Sequence, residues 1–143
     1  MILETSHSNK DDSLLINDLV GKPFGLLKTI QLKGVGSSRM IIEEASPNMK
    51  SFLNTTFDAT YANIELRPFG ILLRILNGLR NFTWVIPYYQ LVIYKSNCSS
   101  IYAQGRFIHF REDHYFKNNK SFLRKLLRLK AKYETKYQFL NFK

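Results

Sequence analysis

The residue types that most often bind zinc occur close together near the end of the chain. Histidine and carboxylate side chains stand at His109, Glu112, Asp113 and His114. A zinc site needs three or four ligands that converge on one point. The alternation of a strand places His109 on the side shared with Phe107, whereas the other three fall in the turn that follows. We therefore predict no metal site in this segment.

A second candidate is the single cysteine, Cys98, because a thiol becomes a nucleophile when a base lies nearby. His109 or His114 could supply that base if the strands on either side of Cys98 pair as a hairpin. This leaves open a small enzyme with a pocket near Cys98 and His109. We favour a loop cysteine without a catalytic role. It cannot form an internal disulfide, and a free thiol is typical of a reducing compartment.

A glycine pair, Gly34 and Gly36, resembles the beginning of a dinucleotide-binding loop, in which glycines let the backbone approach a pyrophosphate. The third glycine of that loop would fall at Arg39, so the pattern is not completed and a turn is the simpler interpretation. No Gly-x-Ser-x-Gly motif is present either. The sequence therefore predicts no catalytic residue, no cofactor and no enzymatic activity.

Positive charge is concentrated at the C-terminal end. The chain has a net charge of +10, and residues 117–143 hold nine Lys or Arg against one acid, Glu134, which leaves +8. Apolar residues in this segment recur every three or four positions, as on one side of a helix. They are Phe122, Leu126, Leu129, Tyr133 and Tyr137. We therefore predict a long amphipathic helix with a basic outer side.

This helix should extend over residues 118–137, with its N-cap supplied by Asn118, Asn119 or Ser121. Its apolar side must be buried against the rest of the protein, which leaves the cations exposed. A diffuse cationic surface attracts anionic partners. The candidate ligand-binding residues are Arg124, Lys125, Arg128 and Lys132.

The middle of the chain has the pattern of short strands. Ala62, Ile64 and Leu66 alternate with polar residues, as in a half-buried strand. Asn77-Gly78, placed between two apolar runs, predicts a tight hairpin because both residues tolerate a positive φ angle. We count about seven strands between residues 24 and 110.

The limits of several elements follow from local composition. We predict the first strand at 24–32 and the last at 101–110, with a bulge or bend at Gly105. Residues 39–45 are assigned to a strand, although their Met and Glu residues also favour a helix. Residues 49–53 should form one helical turn after the break at Pro47.

Part of this pattern is similar to bacterial pleckstrin-homology-like (PH-like) domains. The similarity lies in an apolar strand, a turn, an Ile-Pro-Tyr segment and a second apolar strand, at residues 71–76, 77–78, 84–88 and 91–93. It implies an α+β fold with a barrel or curled sheet of about seven antiparallel strands and one long C-terminal amphipathic helix. Residues 84–110 also resemble a family of short bacterial proteins, which implies no activity.

The resemblance has one clear departure. PH domains that bind inositol phosphates carry a Lys-x-Lys/Arg cluster in the first hairpin. The equivalent hairpin here would hold Lys28, Lys33 and Arg39, which are spaced too widely for that motif.

We divide the chain into a flexible tail at 1–20 and a single PH-like domain at 21–143. The first residues lack the basic, apolar composition of a secretory leader. No apolar run reaches the length of a membrane span, so we predict no transmembrane segment and a cytoplasmic location.

The function that these observations favour is a non-enzymatic binding module, whose partner is a protein or an acidic surface. The alternative is a nucleic-acid-binding protein that uses the basic C-terminal helix and stacks bases on sheet aromatics. The aromatics and nearby cations concerned are Tyr88, Tyr89, Tyr94, Lys95, Tyr102, Arg106, Phe107, Phe110 and Arg111. The sequence leaves self-association open.

Overall fold

Strands and helices follow one another as in an α+β protein. The structure is a computed structural model that describes residues 1–7, 9–53, 59–94 and 98–140, with side chains described through Tyr137. The strands are β1 Ile2–Glu4, β2 Met40–Ala45, β3 Thr60–Arg67, β4 Gly70–Asn77, β5 Arg80–Pro87, β6 Val92–Ile93, β7 Ser100–Ala103 and β8 Arg106–Phe110. The α-helices are α1 Lys10–Val20, α2 Leu26–Gln31, α3 His114–Lys117 and α4 Lys120–Leu140, and 3-10 turns occur at Pro47–Phe52 and Tyr88–Gln90.

The strands form one open antiparallel sheet in the order β1-β5-β4-β3-β2-β8-β7-β6. Two meanders, β2–β5 and β6–β8, are joined where β2 pairs with β8. The predicted α+β class with an antiparallel sheet and a C-terminal helix is confirmed. The described residues form eight strands, whereas we predicted about seven. The predicted β4–β5 hairpin is also confirmed, but its turn lies at Gly78 and Leu79. Asn77 is the last residue of β4 and pairs with Arg80, and Gly78 has a φ of 62°.

One face of the sheet carries the main core. Ile64, Leu73, Trp84 and other side chains of alternating strand positions point to this face and are buried. Helix α4 covers it with Phe122, Leu123 and Leu126, all buried in the same cluster. The predicted helix at 118–137 is therefore present as α4, and its apolar side is buried as expected.

Asn119 lies directly before α4, as a cap should, but its side chain serves another element. Its backbone carbonyl accepts the hydrogen bond from the Leu123 N–H. Its side-chain oxygen accepts from the Ser38 N–H at 2.9 Å, and its amide donates to the Ser38 carbonyl at 3.2 Å. The side chain therefore joins the start of α4 to the segment before β2.

Residues 1–20 do not form the flexible tail that we predicted. Strand β1 pairs with β5, and α1 packs Ile16 and Val20 against the opposite face of the sheet. Asn9 begins the helix, because its side chain accepts hydrogen bonds from two backbone N–H groups of the first turn. We did not predict this helix because the segment is largely polar. Two apolar residues four positions apart are enough to pack a short helix against the sheet.

The first predicted strand, 24–32, is also wrong, since α2 occupies this segment. Leu, Lys and Gln favour a helix, and they outweigh the β-branched pair Thr29 and Ile30. The helix ends in a Schellman motif, in which the Gly34 N–H donates to the Thr29 carbonyl and the Lys33 N–H to the Ile30 carbonyl. Lys33 holds the left-handed position, with a φ of 59°.

The remaining limits agree in part. Residues 39–45 contain β2, as predicted, and the helical turn near 49–53 is the 3-10 turn at Pro47–Phe52. The predicted last strand at 101–110 is instead two strands, β7 and β8, because Gly105 forms a turn and not a bulge. Gln104 and Gly105 both have positive φ angles, 55° and 74°, as a two-residue hairpin turn requires.

The Ile86 carbonyl of β5 and the Val20 side chain of α1 both lie so close to position 70 that we predict a strict requirement for glycine there. A Cβ atom at Gly70 would lie 2.6 Å from Val20 Cγ1 and 2.8 Å from Pro87 Cα. We expect Gly70→Ala to lower the free energy of unfolding by about 1–3 kcal/mol in urea denaturation. Gly36→Ala is the matched control, because a Cβ atom there meets no atom within 4 Å. Equal losses for both variants would contradict this packing.

Candidate anion-binding groove

The burial of one side of α4 determines where its cations point. Phe122 and Leu126 lie against the sheet, so at 100° per residue the cations at 125, 128 and 132 lie along one flank of this buried side. Lys125, Arg128 and Lys132 are three and four residues apart, so they follow one another along one line of the helix surface. They form the first wall of a groove.

The second wall is α2 with the turn that ends it. The ammonium group of Lys125 donates hydrogen bonds to the carbonyls of Gly34, at 2.9 Å, and Lys33, at 3.4 Å. These carbonyls belong to the turn that follows α2, which ends at Gln31. Lys125 therefore holds the two walls together.

The space between the two walls, which we call the basic groove, has a volume of about 460 Å³. Five of its lining residues are cations and none is a carboxylate. The lining residues are Lys28, Gln31, Leu32, Lys33, Ser121, Lys125, Arg128, Leu129 and Lys132. Among the ion pairs of the described residues, none includes any of these five cations.

The clustered charges affect the titration of Lys125. Partial burial, together with the nearby positive charges of Arg128 and Lys33, lowers the pKa of its ammonium group. The charges of Arg128 and Lys33 thus disfavour the charged form of Lys125. An anion placed between them would relieve this repulsion.

The four candidate ligand-binding residues that we predicted do not line one cavity. Lys125, Arg128 and Lys132 line the basic groove, but Arg124 points to another side of α4. It lines a separate cavity of about 400 Å³, together with Lys117 and other residues of α3 and α4. Neighbours in sequence are 100° apart on a helix, which separates Arg124 from Lys125.

Two residues of the groove, Lys28 and Lys33, were not among the predicted site residues. The six residues of α2 carry too little helical periodicity to show which side faces α4, so no sequence signal placed Lys28 in the groove. Arg39, which we grouped with these lysines in a presumed first hairpin, lies elsewhere. Its guanidinium stacks on the ring of Tyr61, 4.6 Å from the centroid, and on that of Tyr115.

The structure does not bring Cys98 and His109 together. Cys98 is buried in the main core, and its thiol donates to the Leu123 carbonyl on α4, 3.7 Å away. His109 alternates with core residues of β8, so its ring lies on the other face of the sheet. There it contacts Glu44 at 3.3 Å and the hydroxyl group of Tyr102 at 3.1 Å.

The aromatic residues that we grouped on the sheet differ in burial. Tyr88 and Phe110 are buried, so they cannot stack on a ligand. Tyr94, Tyr102 and Phe107 do form a row of ring contacts, with centroid distances of 4.7 and 5.3 Å. Lys95, which we grouped with them, lies outside the described residues.

Metal ligands do not converge anywhere in the described ranges, where no group of three His, Cys, Asp or Glu could hold an ion. His114 begins α3 and its ring lies 4.1 Å from that of Tyr115. Over the described part of the chain, no helix has the length and apolar composition needed to span a membrane. Comparisons with protein-family models, curated proteins and solved structures gave no match.

The burial of Cys98 predicts an unreactive thiol. Burial raises the pKa of Cys98 from 9.0 to about 11, so the thiol stays protonated in the folded protein at pH 8. We expect slow alkylation by iodoacetamide at that pH and fast alkylation in guanidinium chloride. Because the folded state holds this proton more tightly, its contribution to stability should be lost as the pH rises from 9 toward 11. Rapid alkylation without denaturant would contradict this burial.

Proposed function

We propose that this protein is a non-enzymatic binding module that docks onto an anionic, phosphate-bearing partner through the basic groove. The observation that carries the proposal is the convergence of five cations, from α2 with its following turn and from α4, in a groove whose described lining residues include no carboxylate. Cations on a surface usually alternate with acids, as Lys130 of α4 does by pairing with Glu134.

The chemistry of the groove supports binding more than catalysis. Lysine and arginine are donors without acceptor atoms, and they match the oxygen-rich surface of a phosphate group. Within the described residues the groove contains no histidine, cysteine or carboxylate that could move a proton or attack a substrate. An acidic surface is therefore favoured over a substrate.

We also propose that the domain is PH-like and that its location is cytoplasmic. The order of two meanders followed by a terminal helix supports the first proposal, and the free thiol of Cys98 supports the second. The basic groove lies between two helices, whereas inositol-phosphate-binding PH domains carry their basic cluster in the first hairpin. The mode of binding that we propose is therefore specific to this arrangement.

Tripolyphosphate is a suitable probe, because it is a small molecule with several phosphate groups. As tripolyphosphate is added at low ionic strength, we expect the backbone amide NMR signals of 28–34 and 121–132 to shift until the site is saturated. Added salt should weaken this binding. The double variant Lys28→Glu/Arg128→Glu should bind about ten-fold more weakly.

The matched control is Arg124→Glu, an exposed cation of the same helix that lies outside the groove. It should bind tripolyphosphate like the unmodified protein. Shifts that center on Lys117, Lys120 and Arg124, or equal losses for both variants, would overturn the assignment of the groove.

A further inference from the structure

Helix α2 exposes most of its apolar surface. The exposed fractions are 77% for Leu26, 79% for Leu27 and 64% for Ile30, and the helix has no buried side chain. Scattered single apolar residues are normal on a protein surface, but three on two turns of one helix form a patch.

This patch, which we call the α2 apolar patch, adjoins the basic groove. Lys28 and Gln31 face α4, since both line the groove. At 100° per residue, Leu27 lies beside Gln31 on the helix surface, and Leu26 and Ile30 continue around the circumference. One short helix thus presents cations to one side and apolar side chains to the rest.

The α2 apolar patch plays little part in holding the fold together. The helix is held by its Schellman motif and by the hydrogen bonds from Lys125 to the Lys33 and Gly34 carbonyls, and neither uses these three side chains. Exposed leucines of this kind have unfavourable contact with water, which binding to an apolar phase would relieve.

Building on the proposed function, we infer that the anionic partner is a membrane surface containing acidic lipids. Helix α2 lies in the interface with Leu26, Leu27 and Ile30 among the upper acyl chains, while the groove cations contact headgroup phosphates. Interfacial binding combines these two contributions, apolar burial and attraction to anionic lipids. A nucleic acid would engage the cations but leave the α2 apolar patch in water.

Vesicle sedimentation tests this inference with two lipid compositions, phosphatidylcholine alone and phosphatidylcholine with about 30% phosphatidylserine. We expect the full chain to bind the acidic vesicles and not the neutral ones. Leu26→Ser/Leu27→Ser should lower the partition coefficient about ten-fold by removing apolar burial. Lys28→Glu/Arg128→Glu should lower it at least as much.

Two matched controls separate these effects from general loss of charge or apolar surface. Leu79→Ser removes a leucine that is 98% exposed at the β4–β5 turn, and Arg124→Glu reverses a cation outside the groove. Both variants should bind acidic vesicles like the unmodified protein. Circular dichroism melting curves of all variants identify any that fail to fold.

The outcomes distinguish this inference from the proposed function. If tripolyphosphate binds the groove but acidic vesicles do not bind, or bind equally after Leu26→Ser/Leu27→Ser, the membrane inference is overturned and the groove remains. Tight binding of single-stranded RNA, weakened by Lys28→Glu/Arg128→Glu, with no vesicle binding would identify a nucleic-acid partner instead. If neither tripolyphosphate nor vesicles bind, both proposals fail.

Discussion

The burial of the apolar side of α4 against one face of the sheet is the interaction on which the rest of the structure depends. Phe122, Leu123 and Leu126 are almost completely buried, and each large apolar side chain contributes about 1.5–3 kcal/mol when removed from water. This burial fixes the orientation of α4 about its own axis. In that orientation Lys125 points toward α2 and Arg124 points away from it. The direction of the cations is thus a consequence of the core.

The attachment of α2 to α4 depends on Lys125, which contributes both hydrogen bonds and a positive charge. Lys125 donates to two carbonyls in the turn that follows α2, those of Lys33 and Gly34. By doing so it also brings Lys28 and Lys33 next to the cations of α4. Partial burial, followed by repulsion from Arg128 and Lys33, lowers the pKa of Lys125. The fold tolerates that repulsion because the hydrogen bonds and the Schellman motif hold α2 in place.

Much of this architecture was predictable from local patterns, and the failures have identifiable causes. Strict alternation predicted β3, Asn77-Gly78 predicted the β4–β5 hairpin, and the three-to-four spacing predicted α4. Helix α2 was missed because six residues carry too little periodicity to outweigh two β-branched side chains. Three groove cations were predicted, but Lys28 and Lys33 join them only through tertiary packing. The division between Arg124 and Lys125 follows from the rotation of α4, which charge counting cannot supply.

The position of α2 relative to α4 is the central claim, and paramagnetic relaxation measures it directly. A nitroxide attached at Gln31→Cys would lie in the basic groove, and buried Cys98 would not compete for the label. We predict strong broadening of the amide signals of residues 121–132, and no broadening on the β4–β5 hairpin. Unbroadened signals along α4 would show that the two walls do not face each other, and the account of the groove would be wrong.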